Sequence, residues 1–315
     1  MAPVPAVSPA PLDRVESDRL FVRTGGQVFC RICGSSRTTM VIRRLRDTRF
    51  SVLRCRVCAT ERLHPQPSRD EIRSLYSADY YQSWNMRDGE KPVVAEMKKD
   101  TFRRHLRLLA GLVSPAKILD VGTATGFFLE VARDAGFDPY GVELSAYSGA
   151  IAAQKFAAGR IHIGTLETAP FPAGMFSAVA MSDLLEHVPD PLETLARARR
   201  LLSPRGVLMI TTPDCQSFSR KIMGRRWTHY KVEHLFYPNR SSIELMADKC
   251  GFRVLHAERA RKAMSLAYLH SQFQTYRHWA LTPLAALAST VAQGWAHRHF
   301  TIPMGELLVF LGKAA

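Results

Sequence analysis

No stretch of about 18 consecutive apolar residues occurs in this 315-residue chain, so the sequence predicts no membrane-spanning helix. The start, Met1 to Pro11, lacks the basic residues and long apolar run of a secretory signal. Its proline and alanine content makes residues 1–24 read as a disordered lead-in. Acidic side chains are scarce: 28 Asp and Glu stand against 43 Lys and Arg, a net charge of +15. Charged residues are only 23% of the chain and hydrophobic ones 46%, which excludes global disorder and allows a sizeable core. With no export signal, the chain is expected in the cytoplasm.

The positive charge is unevenly spread. It is +7 over residues 1–75, +2 over 76–116, −2 over 117–213 and +8 over 214–315. Two basic flanks around a near-neutral middle would attract an anionic partner: nucleic acid, an acidic lipid face or an anionic substrate. A solvated arginine-rich surface explains the same numbers, and composition does not separate the two.

Cysteine is rare, but four of the six are patterned. Cys30, Cys33, Cys55 and Cys58 form C-x2-C-x21-C-x2-C. Each C-x2-C turn aims two thiolates at one point, and two turns complete a tetrahedral Zn²⁺ site. Four thiolates leave no open position for water, so the metal is expected to be structural. It would supply folding energy that so short a segment lacks. Residues 25–65 are therefore expected to form a zinc ribbon. Two disulfides are the alternative, disfavoured without a secretory signal. Gly34 follows the first knuckle, while Ala59 stands at the equivalent place after the second. Nothing marks Cys215 or Cys250 as a nucleophile.

From residue 117 strand-like and helix-like runs alternate. Strands are expected at 117–121, 140–144, 160–164, 176–181, 206–211, 252–258 and 306–311, with helices at 127–135, 146–157 and 191–202. This predicts an α/β, Rossmann-like doubly wound sheet with six parallel strands and an antiparallel seventh. Ligands then bind beyond the carboxyl ends of the strands. There the sequence places the turn Gly122-Thr123-Ala124-Thr125-Gly126, and Glu143 closes the next strand. A carboxylate so placed can accept hydrogen bonds from vicinal ribose hydroxyls. Ala124 and Phe127 stand where G-x-G-x-x-G needs glycines, which disfavours a dinucleotide site.

The run Ile118 to Gly126 resembles the first motif of class I S-adenosylmethionine-dependent methyltransferases, and Gly141-Val142-Glu143-Leu144-Ser145 resembles the segment bearing that family's ribose-binding acid. Ser182 to Val188 is similar to the strand-four signature of its small-molecule branch. The resemblance covers about residues 115–260. It implies S-adenosylmethionine as cofactor, with Asp120, Gly122, Thr123 and Gly126 around its amino-acid part and Glu143 with Leu144 at its ribose. Leu166 and Glu167, in the loop after strand three, would lie on the adenine side, and Ser182 at the end of strand four. Thr165 departs from the Asp often found there, and Ala124 from the usual middle glycine.

Methyl transfer needs alignment and often removal of a proton from the nucleophile. His187 after strand four and the cluster Tyr230 to Tyr237 after strand five are candidates for that work. Glu233-His234 followed by Tyr237 is similar to a segment in zinc-bearing sugar methyltransferases and their glycan-cluster relatives. That resemblance implies His234 as general base, ahead of His187, with Glu233 and Tyr230 as orienting groups. The acceptor expected is a small molecule or glycan, anionic or not, methylated at a sugar hydroxyl. An RNA methyltransferase using the ribbon and basic flanks is the competing reading.

Residues 66–112 read as a helical linker containing Tyr76, Tyr80 and Tyr81 and a basic amphipathic helix, and residues 113–315 as the catalytic domain. Within it, 259–304 would be a helical insertion, with helices from Met264 to Tyr276 and Leu284 to His297. The insertion would cap the cleft, form a homo-oligomer face or touch the inner membrane surface peripherally.

Overall fold

The computed structural model describes residues 23–24, 27–46, 48–68, 70–72, 92–265, 268, 283 and 298–314. The segment Leu75 to Tyr81 and nearly all of the two helices expected between Met264 and His297 lie outside the described residues. Among the described residues no helix is long and apolar enough to cross a membrane.

The described residues begin with two short antiparallel strands, β1 (Arg23–Thr24) and β2 (Gln27–Val28). Strands β3 (Thr38–Ile42), β4 (Ser51–Cys55) and β5 (Glu61–His64) follow. Helix α1 (Pro92–Ala110) leads into β6 (Lys117–Val121), α2 (Phe127–Asp134), β7 (Asp138–Glu143), α3 (Ala146–Lys155) and β8 (Ile161–Ile163). Next come β9 (Phe176–Ser182), α4 (Pro191–Leu201), β10 (Leu202–Pro213) and α5 (Phe218–Met223). The chain then forms β11 (Phe236–Tyr237), α6 (Arg240–Lys249), β12 (Phe252–Met264) and β13 (Phe300–Lys313).

Seven strands make the main sheet in the order β12-β13-β10-β9-β6-β7-β8. Six run the same way, and β13 runs against both neighbours. This is the expected Rossmann-like α/β architecture. The central strands are buried on both faces, which is why Ala178 to Met181 reads as an unbroken apolar run and β6 is apolar but for Asp120. Helix α2 buries Phe128, Leu129, Val131 and Ala132 on one side. Helix α4 starts where sequence rules place it, with the Asp190 carboxylate accepting from Glu193 N at 3.1 Å and Pro191 in the first turn. Helix α1 covers the sheet through buried Met97, Leu106 and Leu109, and Phe102 meets Phe128 edge to face at 5.4 Å.

Strands β12 and β13 run further than expected, pairing out to Met264 opposite Phe300. The extra residues, such as Arg259, Arg261 and Lys262, are charged. Antiparallel pairing held them in a strand that hydropathy did not show. Residues 259–264 and 300–304, expected inside a helical insertion, are therefore strand.

The second sheet has the order β11-β5-β4-β3. Its fourth strand, β11, comes from the far side of β10 and pairs Phe236 with Arg62 and Tyr237 with Glu61. Behind it Ile42, Leu45, Phe50, Val52 and Leu63 pack with Met223, Trp227, Tyr230 and Tyr237 in one core. Asn239 Nδ2 donates to Cys58 O at 3.0 Å, and Gln66 Nε2 to Leu235 O at 2.9 Å.

The two knuckles repeat each other. Gly34 N donates to Cys30 O, and Ala59 N to Cys55 O. Both turns need a positive φ, +77° at Gly34 and +57° at Ala59. A Cβ in that region costs about 1–2 kcal/mol. Ala59→Gly is expected to raise the free energy of unfolding by about 1 kcal/mol, read as a higher denaturant midpoint. A lower midpoint would refute the strain at Ala59.

Candidate active site

The carboxyl ends of β6, β9 and β10 open into a cleft of about 1150 Å³. On one wall lies the turn after β6, with φ of +80° at Gly122, +47° at Ala124 and +91° at Gly126. A Cβ on Gly122 would come within 3.0 Å of the Leu184 side chain. The turn therefore needs glycine there, both for its φ and for room. Of the residues nominated for the cofactor, Asp120, Gly122, Thr123 and Ser182 line this cleft.

Four buried atoms on this wall close no hydrogen bond: Asp120 Oδ1, Thr123 Oγ1, Thr125 Oγ1 and Ser182 Oγ. Such atoms are costly unless a ligand meets them. Burial pushes the Asp120 carboxyl up to about 8. A ligand ammonium would supply the partner that it lacks. Glu143 holds the turn itself: Oε2 accepts from Ala124 N at 2.8 Å and Oε1 from Ser145 N at 2.9 Å. Glu143 is buried and is not itself among the residues lining the cleft. The unsatisfied polar atoms of this wall thus fit the amino-acid part of S-adenosylmethionine.

The other nominated residues stand back from the cleft. Leu144 is exposed, Leu166 is packed in the core, and Glu167 faces Arg197 at 3.3 Å. A Cβ on Gly126 would meet Phe156 and Ala152.

The opposite wall is charged. Lys262 of β12 donates to Asp183 Oδ2 and Glu306 Oε1, both at 2.7 Å. His229 Nε2 lies 3.5 Å from the same Glu306 oxygen. Glu306 is 3% exposed, and its Oε2 closes no hydrogen bond. Burial pushes this carboxyl up to about 7 against the pull of Lys262. Burial alone would lower Lys262, but Asp183 and Glu306 outweigh it and hold the ammonium above its ordinary range. His229 is pushed down to about 3, first by burial and then by Lys262, so it stays neutral.

Backbone geometry aims these groups. Asp183 takes a φ of +52° at the end of β9, and Thr211 Oγ1 donates to its Oδ1 at 3.0 Å. Gly305, at φ +97°, precedes Glu306, and a Cβ there would overlap the Ser219 hydroxyl. The bend lets β13 deliver Glu306 opposite Pro213, at the carboxyl end of β10.

The four residues nominated for catalysis divide. Glu233 lines the cleft, whereas His187, His234 and Tyr230 do not. The Tyr230 hydroxyl donates to buried Glu61 of the second sheet and accepts from Arg220 Nε at 3.0 Å. It thus ties that sheet to the domain instead of orienting His234. The His187 and His234 rings meet edge to face at 4.6 Å, outside the cleft lining. His229, Lys262 and Glu306, which also line the cleft, are not singled out by the sequence analysis. His229 is one residue before the nominated Tyr230, in an irregular segment without a period to rank its histidines.

The thiols of Cys30, Cys33, Cys55 and Cys58 lie within 4.8 Å of one another. Sγ of Cys30 is 3.6 Å from that of Cys58, and Cys33 is 3.4 Å from Cys55, with no disulfide formed. Tetrahedral zinc–thiolate sites, with bonds of about 2.3 Å, need sulfurs about 3.8 Å apart. The donor set fits Zn²⁺.

A family model described as a methyltransferase domain matches residues 93–257, just over half of the chain. The chain belongs to that family, and it carries the class I fold that uses S-adenosylmethionine. A ubiquinone biosynthesis O-methyltransferase from Aromatoleum aromaticum is 33% identical over 136 residues, covering 41% of this chain and 56% of the relative. One from Bordetella avium is 30% identical over 153 residues, covering 42% and 60%. The chain thus spans little more than half the length of these relatives. Among solved structures, a S-adenosylmethionine-dependent methyltransferase from Thermotoga maritima superposes with a TM-score of 0.49 at 16% identity, covering 75% of this chain and 95% of that one.

Proposed function

We propose that this protein transfers a methyl group from S-adenosylmethionine to a hydroxyl oxygen of a small molecule or glycan, with a sugar hydroxyl as the expected acceptor. One observation carries the reading: a single cleft joins the unsatisfied wall after β6 to a buried carboxylate held between a lysine and a histidine. The O-methyltransferase names of the partial relatives support oxygen over nitrogen. Arg46, Lys98, Lys221 and Arg259 around the cleft suit an acceptor that carries negative charge.

In this reading Asp120 meets the cofactor's ammonium, Glu143 its ribose, and Ser182 and Thr125 its remaining polar groups. The bound cofactor supplies an electrophilic methyl on a sulfonium, which is already a good leaving group. Glu306 Oε2 takes the proton from the acceptor hydroxyl as its oxygen is methylated. Lys262 fixes the carboxylate, and His229 limits its swing. His234 and His187 act from outside the cleft, and Glu233 stands at its wall. The four thiolates of the second sheet hold one structural Zn²⁺.

The test has two arms. Glu143→Ala is expected to weaken S-adenosylmethionine binding by about 10–100-fold, the cost of charge-assisted hydrogen bonds worth about 1.5–3 kcal/mol. Calorimetry reads this, and unchanged affinity would remove the ribose contact. Labelled methyl from the cofactor is expected in a nuclease-resistant small-molecule or glycan fraction of cell extract. Label confined to RNA would favour the competing reading.

A further inference from the structure

Outside the four-cysteine cluster, the described residues hold one other group of metal-ligating side chains: Glu186, His187 and His234. One donor atom from each lies within 4.8 Å of the others. Two chain segments build the group. The 3₁₀ turn Leu185–His187 after β9 presents two of them in succession. The loop before β11 presents the third, and Leu235 N donates to Glu186 O at 2.8 Å to lace the segments together.

The burial of this group calls for a cation. Glu186 is 1% exposed and His234 is 5% exposed. The Glu186 carboxylate accepts from a neutral donor, the Thr212 hydroxyl, at 3.0 Å. The nearby charges of Asp183 and Glu306 are of the same sign and make ionisation harder still. A buried carboxylate without a counter-ion is expensive unless it is protonated or coordinates a metal. His234 Nδ1, also buried, closes no hydrogen bond. His187 Nδ1 faces the Glu233 carbonyl at 3.0 Å. A proton there puts the ring's lone pair on Nε2, the carbonyl–histidine arrangement that orients metal-bound imidazoles.

We infer that Glu186, His187 and His234 form a second metal site, which takes a divalent transition cation of the zinc class. Two imidazoles and one carboxylate are a donor set for Zn²⁺, with a fourth position left for water. Bonds of about 2.0–2.2 Å would draw the three donors together. The cation would pin the turn after β9, which follows Ser182 and Asp183, to the segment carrying His229 and Glu233. It would sit outside the cleft lining and join the cofactor side to the acceptor side. The inference does not depend on the acceptor, nor on the metal of the four cysteines.

The experiment uses the full chain, loaded with Zn²⁺ and dialysed against metal-free buffer. Metal is counted before and after thiol modification by an organomercurial, which releases metal from cysteine sites only. Two equivalents per chain are expected, one released by the mercurial and one retained. Glu186→Gln and His234→Gln should each lose the retained equivalent and keep the released one. Replacement by Co²⁺ should give one thiolate site, with sulfur charge-transfer absorption, and one site without it. Loss of the released equivalent alone would remove the ribbon zinc and leave this site standing. A wild-type chain with no mercurial-resistant metal would overturn the inference, whether or not the variants fold. A Co²⁺ spectrum of thiolate type alone would overturn it equally.

Discussion

Glu306→Gln is expected to lower kcat by about 10²–10⁴-fold, the range for general acid–base groups, while S-adenosylmethionine affinity stays within about threefold. The substitution keeps the side-chain shape beside Lys262 and His229 and removes only the basic oxygen. The pH profile separates catalysis from packing. A base works deprotonated, and burial holds this carboxyl at about 7. In the native protein kcat/KM should therefore rise through about pH 7 and level off above it. In Glu306→Gln the residual activity should be flat across that limb. A variant that keeps both the rate and the limb would sink the assignment. His229→Ala should leave the limb but shift it, because His229 Nε2 lies 3.5 Å from the same carboxylate and is a positioning residue.

Cys55→Ser is expected to cost most of the stability of the second sheet and nearly all methyl transfer. Zinc folding of small peptides is worth about 10–16 kcal/mol, which rivals the whole stability of a domain, about 5–15 kcal/mol. The loss would not stop at the knuckles. Trp227, Tyr230 and Tyr237 share a core with Phe50, Val52 and Leu63, so the segment carrying His229 loses its backing. Hydrogen exchange should quicken over residues 38–64 and 215–237, with β6 and β7 still protected. Equal protection in both regions, with activity retained, would show that the thiols hold no structural metal.

The contrast between these two predictions tracks what the sequence could reveal. The turn after β6 was legible because its needs are local: glycines where φ is positive, and an acid where the next strand ends. The knuckles were legible because thiol spacing alone defines them. Glu306 was not, because its place depends on the pairing of β13 with β10 across about 95 intervening residues and on a bend at Gly305. Lys262 was hidden in charged residues that look like loop and became strand only through pairing with β13. His234 and His229 differ by five positions in a segment with no regular period. Sequence alone gave no way to tell which ring faces the cleft and which faces Glu186.

The pairing of β11 with β5 has a consequence for how such a protein can change over time. The ribbon is not an accessory that could be exchanged between enzymes by cutting at the linker. Its outer strand is completed by Phe236 and Tyr237, and its buried Glu61 is answered by Tyr230 and Arg220 about 160–170 positions away. Drift at any of these positions must be matched at the others. The two halves are therefore bound to be inherited as one unit, with the segment between β10 and β11 as their common seam.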